Sequence, residues 1–387
     1  YNFRFERFGE LAGLEKAIEY GSRGLALAPD GHPRLSCLLS NLGLSHSNRF
    51  GRLGELDGLE KAIQYQSRAL ALTPDGDPRL SSRLGNLGAS RICRFQRLGE
   101  LDDLEKAIQC GSRALALTPD GHPEFSSRLA RLGASHARRF QHLGEMDDLE
   151  KAIQYGSRAV DFTPDGHPQL STWLNNLGAS HNHRFRQLGD LADLEKSIEC
   201  TSCALELTPG DDPELCLKHF NLALSYVHYY RHTSDPSHLQ DSLHSFRIAS
   251  KSPVGAPRSR FDCARKWATH ASKHSTLNCI EAYQATIDLL PQFIWLGATT
   301  AQRYEDLKLA QTLAVDAATA AILSSNYSLA LEWLEHARCV VWNQNLMLRS
   351  PLDQLQASHP TLANNLQSVA DRLHSASSES RESQALM

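Results

Sequence analysis

An Arg-Phe pair returns every 45 residues, as Arg4-Phe5, Arg49-Phe50, Arg94-Phe95, Arg139-Phe140 and Arg184-Phe185. Each pair leads into an LGEL-like stretch, then LEKAI (LEKSI in the last copy), then an ALALTPD-like ending and a DP or HP pair. A period between about 20 and 50 residues means one supersecondary unit stacked on copies of itself, since no single unit can bury its apolar face alone. The chain is therefore restricted to an array that offers an extended surface, suited to holding another protein.

The unit from Asp30 to Pro74 shows what is stacked. Pro33 is expected to open a helix, where its missing N–H costs nothing. Leu35, Leu39, Leu42, His46, Phe50 and Leu53 follow at spacings of three and four, the signature of one helical face. That helix is predicted to run to about Arg52 and stop near Gly54, a residue suited to a left-handed cap. Asp57-x-x-Glu60 has the form of a capping box for a second helix. Its apolar positions are Leu59, Ala62, Ile63, Tyr65, Ala69, Leu70 and Leu72, and it ends at Thr73-Pro74. Two antiparallel helices joined by short loops make the unit.

Gly43, Gly88, Gly133 and Gly178 fall inside the first helix of successive units, where glycine costs about 0.5–1 kcal/mol relative to alanine. Its recurrence predicts close approach of the second helix through Ala62, Ala107, Ala152 and Ser197. Leu42, Leu87, Leu132, Leu177 and Leu222 are the neighbouring core column.

These features resemble the tetratricopeptide repeat (TPR). The segment Asn41 to Gly43 (NLG), Ala62 and Ala69 seven residues apart, and the closing Pro74 match its pattern in a longer unit. HP-x-L…LxNLG followed by a RAL helix is most similar to the kinesin-light-chain class. Tyr226, one period after His181, restores an aromatic residue usual in that class. The resemblance covers residues 1–254 and implies an all-α fold, a right-handed α-solenoid of helix pairs.

On this reading residues 1–29 are a partial repeat, 30–254 are five 45-residue repeats with the fifth degenerate, and 255–350 are divergent TPR-like helices. Residues 351–374 form a C-terminal helical segment and 375–387 a disordered Ser/Glu-rich tail. Phe261 to His274 and Leu277 to Leu290 read as a helix pair, while Ala318, Ala330 and Ala337 have the spacing of a short TPR. The segments RFDCARKWA (260–268), EAYQATIDLLPQFIWLG (281–297) and ALEWLEHARCVVWNQNLMLRSPLDQL (330–355) resemble the region preceding a CHAT domain in fungal TPR-CHAT proteins. That resemblance implies a caspase-like module in cis on a longer chain, downstream of Met387. Tyr1 stands one period before His46, so the array is expected to begin part-way through a repeat.

Composition narrows the function classes. A net charge of −4 over 387 residues gives no basic excess for nucleic acid. Apolar stretches such as Ala317 to Leu323 are far below the ~20 residues that span a bilayer. Arg4, Glu6, Arg7 and Glu10 interrupt any signal-peptide pattern, and nine scattered cysteines fit free thiols in a reducing compartment. The expectation is a soluble, cytoplasmic protein.

Chemistry-bearing motifs are few. Cys200-x-x-Cys203 falls in the middle of a second helix, whereas thioredoxin-like chemistry needs a helix N-terminus and a zinc site needs two further ligands. HExxH, GxSxG and GxxxxGK[ST] are absent from the sequence. No enzyme, cofactor or metal site is expected. The Arg-Phe pairs read as architecture, with Phe buried and Arg pairing with nearby carboxylates.

Columns that vary between copies mark the candidate contact surface. One is Asn48, Cys93, Arg138, His183 and His228; others are Cys37/Ser82/Ser127/Thr172/Leu217 and Ser47/Ile92/Ala137/Asn182/Val227. A further column, Asn41, Asn86, Arg131, Asn176 and Asn221, offers amides able to donate to and accept from a peptide backbone. The TPR resemblance implies that first helices line a concave groove and that such asparagines hold bound peptides; the alternative is that they tie adjacent helices together. The reading is a non-catalytic scaffold for a protein or peptide of unidentified sequence. Alternatives are a sensor arm of a CHAT protease and an RNA-binding helical repeat, for which only Arg83, Arg128, Arg131 and Arg138 approach a basic groove.

Overall fold

A computed structural model describes residues 11–273, 279–294, 300–336 and 353–369. The chain divides into two compact units, 1–207 and 208–387.

In the first unit, helix α1 (Leu11–Leu27) precedes four helix pairs. These are α2/α3 (Leu35–Leu53, Leu56–Ala71), α4/α5 (Leu80–Leu98, Leu101–Ala116), α6/α7 (Phe125–Leu143, Met146–Asp161) and α8/α9 (Leu170–Leu188, Leu191–Glu206). The longer helix of each pair is termed A and the shorter B. Each A helix packs on its own B helix, and α3, α5 and α7 pack in turn on the next A helix. The second unit continues with α10/α11 (Leu215–Thr233, Pro236–Lys251), α12 (Pro257–Ser272), α13 (Ile280–Phe293) and α14 (Thr300–Leu323). Further helical segments lie at 327–336, 353–358 and 360–369. Residues 375–387, and the part of the CHAT-like segment at 337–352, lie outside the described residues.

Every A helix of the four pairs ends on a left-handed glycine, Gly54, Gly99, Gly144 or Gly189, whose N–H bonds back to the Phe carbonyl of the Arg-Phe pair. In α10 a serine, Ser234, takes that conformation at φ 59°. The B helix begins two residues later, so each hairpin is tight.

The glycine column does what its spacing predicts. A methyl group on Gly133 would stand 3.1 Å from the Ala152 carbonyl, and one on Gly178 3.0 Å from that of Ser197. Core leucines fill the space beside it: Leu42, Leu87, Leu132 and Leu177 are buried, as are Leu59, Leu104, Leu149 and Leu194 on the B helices. At the Leu42 column, truncation to alanine costs roughly 2–5 kcal/mol.

Three local expectations need correction. Pro33 lies in a turn before α2, which starts at Leu35, so it does not open the helix. Asp57 does not cap α3: the N-cap is Glu55, and Asp57 sits within the first turn, paired with Lys61 at 2.7 Å. The sequence pattern placed the cap two residues late because Leu56 and Asp57 are already helical. Leu53 and Leu72 are exposed, at 40% and 46%, because both fall where their helices end and the chain turns away from the core.

In the second unit, Phe246, Phe261, Ile287 and Leu290 build one large core with Trp333, whose indole N–H donates to the Gln284 side-chain oxygen at 3.0 Å. The expected helix pair at 261–290 is α12/α13 where described; Ala337 lies outside the described residues.

Candidate functional site

The site grows from the small residues of α6 and α8. Gly133 lets α7 close against α6, and Ala134 and Ala137 on the next turns carry little bulk. Between α6 and α8, over Ala152 and Gly156 of α7, this leaves a cleft of about 230 Å³. Trp173 and Leu177 form its apolar wall, and the Trp173 ring stacks on His167 with centroids 4.9 Å apart. Arg138, Gln141, Asn176, Ser180 and His183 bring polar groups to its edge.

The equivalent place one period earlier, between α4 and α6, measures only about 30 Å³. There Ile92 stands where Ala137 stands in the larger cleft, and Arg128 where Trp173 does. Variable columns thus set how large the cleft is at each repeat.

Arg138, Asn176 and His183, expected from the variable and amide columns, are brought together in the larger cleft. Arg131 is exposed and lines the smaller one. Asn41, Asn48 and Asn86 share the same columns on α2 and α4 but line neither cleft, and Asn221 and His228 belong to the second unit, on α10. The side chains of Asn86, Arg131 and Asn176 make no hydrogen bond among the described residues, whereas Asn41 and Asn221 have partners. The carbonyl of Asn176 accepts from the Ser180 hydroxyl one turn on, at 2.9 Å. Ser45, Ser135 and Ser225 repeat that bond.

The protonation states in the cleft are set by burial. Desolvation holds His183 below the usual imidazole range, with Arg186 acting in the same direction. Its ring meets Phe140 edge-on at 5.8 Å, and its Nε2 lies 3.5 Å from the Gln141 amide nitrogen. Burial also lowers the Arg138 guanidinium from its ordinary value, and no carboxylate offsets this. A guanidinium stays charged across the physiological range. Among the described residues, Arg138 is thus the one formal charge lining the cleft at neutral pH.

Two elements were missed at the sequence level. The first is charge segregation, hidden by the near-neutral total. Helices α2, α4, α6 and α8 carry twelve arginines and no Asp or Glu, while the B helices carry acids such as Asp57, Asp103, Glu150 and Glu199. The second is which carboxylates meet the arginines of the Arg-Phe pairs, whose pairing was expected: they form a buried column on the B helices. Asp103, Asp148 and Asp193 are 0%, 0% and 3% exposed, each receiving the guanidinium of the Arg-Phe pair. Arg139 Nε and Nη2 reach Asp148 at 2.7 and 2.6 Å, and His136 Nδ1 reaches it at 2.7 Å. His181 makes the same contact to Asp193 at 2.8 Å, and Arg91 takes that role at Asp103 at 3.0 Å. Burial alone would raise the Asp148 carboxyl, but the hydrogen bonds from Arg139 and His136 hold it below its usual range. Column alignment of Gly58/Asp103/Asp148/Asp193 was the available signal.

Cys200 and Cys203 sit inside α9, where burial pushes the Cys200 thiol up to about 11, so the thiol rather than the nucleophilic thiolate prevails at neutral pH. The eight described cysteines are free thiols. Among the described residues no cluster of three metal-ligating side chains occurs, and no helix is long and apolar enough to cross a membrane.

The stacked helix pairs define an all-α helical-repeat solenoid. In comparisons with known proteins, no family model matches the chain and no curated protein matches it. Its structure is similar to that of BtubC (BKLC) from P. vanneervenii, with 17% identity and a TM-score of 0.42 over 64% of this chain and 92% of that one. It is also similar to a Podospora anserina kinesin light chain of nearly identical TPR-like repeats, with 11% identity and a TM-score of 0.40 over 55% and 98%. A third is the C-terminal part of a TPR repeat-containing protein from Cytophaga hutchinsonii, with 13% identity and a TM-score of 0.47 over 79% and 97%.

Proposed function

We infer that the chain is a non-catalytic scaffold that holds an extended segment of another protein along its A helices. The observation that carries this reading is the cleft between α6 and α8, where Arg138, Asn176 and His183 converge over an apolar floor. An amide beside an apolar recess suits a peptide, because the backbone is held through its own N–H and C=O while a side chain fills the recess. The cleft's volume, about 230 Å³, falls below the roughly 300–1,000 Å³ usual for small-molecule sites and suits one or two side chains.

A pull-down comparing the wild-type chain with an Asn86→Ala/Asn176→Ala variant tests this. The partner should be retained by the first and lost by the second, with circular dichroism unchanged. Equal retention moves the binding surface away from these amides.

The resemblance at 260–268 and 281–297 to the region preceding CHAT domains favours a second, compatible reading. In it the array is the sensing arm of a caspase-like protease carried on a longer chain. A His/Cys dyad encoded beyond Met387 in the gene would support it, and its absence there would remove it.

A further inference from the structure

The arginines of the A helices are not equivalent. Arg94, Arg139 and Arg184 are held by buried aspartates of their own repeats, and Arg49 by Glu15 and Glu55. Arg128 bonds to Thr118 and to Glu124, and Arg83 to Thr73. Arg138 differs: it is half-buried, yet among the described residues it has neither a hydrogen bond nor a carboxylate within ion-pair distance. A desolvated cation without a counter-ion is costly, and an anion arriving from outside would remove that cost. No acidic residue occurs on α6 or α8 to compete for the place.

The surroundings choose among anions. Beside Arg138 the cleft is floored by Ala134, Ala137 and Ala152 and walled by Trp173, which suits a hydrocarbon side chain. A nucleic-acid backbone would require a series of available cations, and here most neighbouring guanidinia are already engaged. A guanidinium such as that of Arg138 can hold a carboxylate through two parallel N–H donors.

We propose that the α6/α8 cleft selects an acidic–apolar pair in the bound segment, with a Glu or Asp carboxylate on Arg138 and the adjoining aliphatic side chain over Ala137. This rests on the reading of the A-helix surface as a peptide groove and specifies its ligand. Asn176, across the cleft on α8, is placed to hold the intervening backbone.

Fluorescence anisotropy with four labelled synthetic peptides tests the assignment, the central pair being Glu-Leu, Gln-Leu, Lys-Leu or Glu-Ser on one Gly/Ser background. The Glu-Leu peptide should bind, and Arg138→Gln should weaken it about tenfold or more, the change expected for a lost charge-assisted hydrogen bond. Replacing Glu with Gln in the peptide should cost as much and add nothing in the Arg138→Gln protein. Ala137→Ile, which copies the residue already accommodated at Ile92, should close the cleft and abolish binding while circular dichroism stays unchanged. Failure of the Glu-Leu peptide to bind, equal binding of the Lys-Leu peptide, or full displacement by decauridylate would overturn the proposal. If an Asn86→Ala/Asn176→Ala variant loses a captured partner that Arg138→Gln retains, the groove reading stands and the acidic ligand falls. If both variants retain it, both fall.

Discussion

His46 is buried with its Nδ1 unpartnered because Gly58 leaves vacant the position from which Asp148 bonds His136. A side chain at Gly58 would meet nothing closer than the His46 carbonyl at 3.5 Å, with Arg49 Nη1 at 3.9 Å. Gly58→Asp would install the carboxylate that the next three repeats possess. It should raise stability by about 1–2 kcal/mol, from better helix propensity and one satisfied buried nitrogen. Urea denaturation followed by circular dichroism checks this; an unchanged or lower midpoint would mean that burying the carboxylate outweighs both gains.

Stability should fall on mild acidification. Burial holds His136 and His181 below their ordinary value, against the opposing pull of Asp148 and Asp193. A histidine lowered in the folded state stays neutral while its unfolded counterpart protonates. Its contribution is therefore complete above about pH 6.5 and is lost as pH falls through the imidazole range. The depressed Asp148 and Asp193 carboxyls act in a lower window, contributing above about pH 4 and losing that contribution in stronger acid. The urea midpoint measured across both windows should show this. His136→Arg with His181→Arg, copying Arg91, should flatten the upper one.

The glycine column contains two opposite cases. A methyl group on Gly133 would crowd the Ala152 carbonyl at 3.1 Å and the Gly156 nitrogen at 3.2 Å, both backbone atoms that cannot rotate away. Gly133→Ala should therefore destabilise by about 1–3 kcal/mol. On Gly88 the nearest contacts are 3.4 and 3.5 Å, ordinary van der Waals distances. Gly88→Ala should leave stability unchanged or raise it by up to about 1 kcal/mol. Side-by-side thermal melts decide, and a loss at both positions would refute the distinction.

Ser234 holds φ 59° where the preceding A helices end on glycine. Left-handed backbone costs a non-glycine residue about 1–2 kcal/mol, so Ser234→Gly should recover about 1 kcal/mol of stability. Hydrogen exchange of the α10/α11 hairpin amides should slow correspondingly; faster exchange would count against it.

The frame of the fold was legible in the sequence because its requirements repeat. Gly54, Gly133 and Leu132 belong to columns that recur in at least four successive repeats, so periodicity alone reveals their roles. The cleft was legible only in part. Arg138, Asn176 and His183 could be picked out as variable or amide columns, but their convergence depends on Ala137 and Trp173 across two helices. The Asp148 column was missed because Asp147 and Asp148 are adjacent acids in a helix's first turn, and only packing shows that one faces solvent and the other Arg139. The distribution of charge was hidden by its own cancellation, since the acids of the B helices balance the arginines of the A helices in the total.

Ile92 and Ala137 occupy one column of an otherwise shared template, and neither belongs to the leucine core that holds the pairs together. The array therefore behaves like a type case with one interchangeable slot per repeat. Exchanging the two residues would narrow one recess and widen the other, whose wall still carries Arg128 in place of Trp173, and leave the leucine core that holds the pairs together undisturbed.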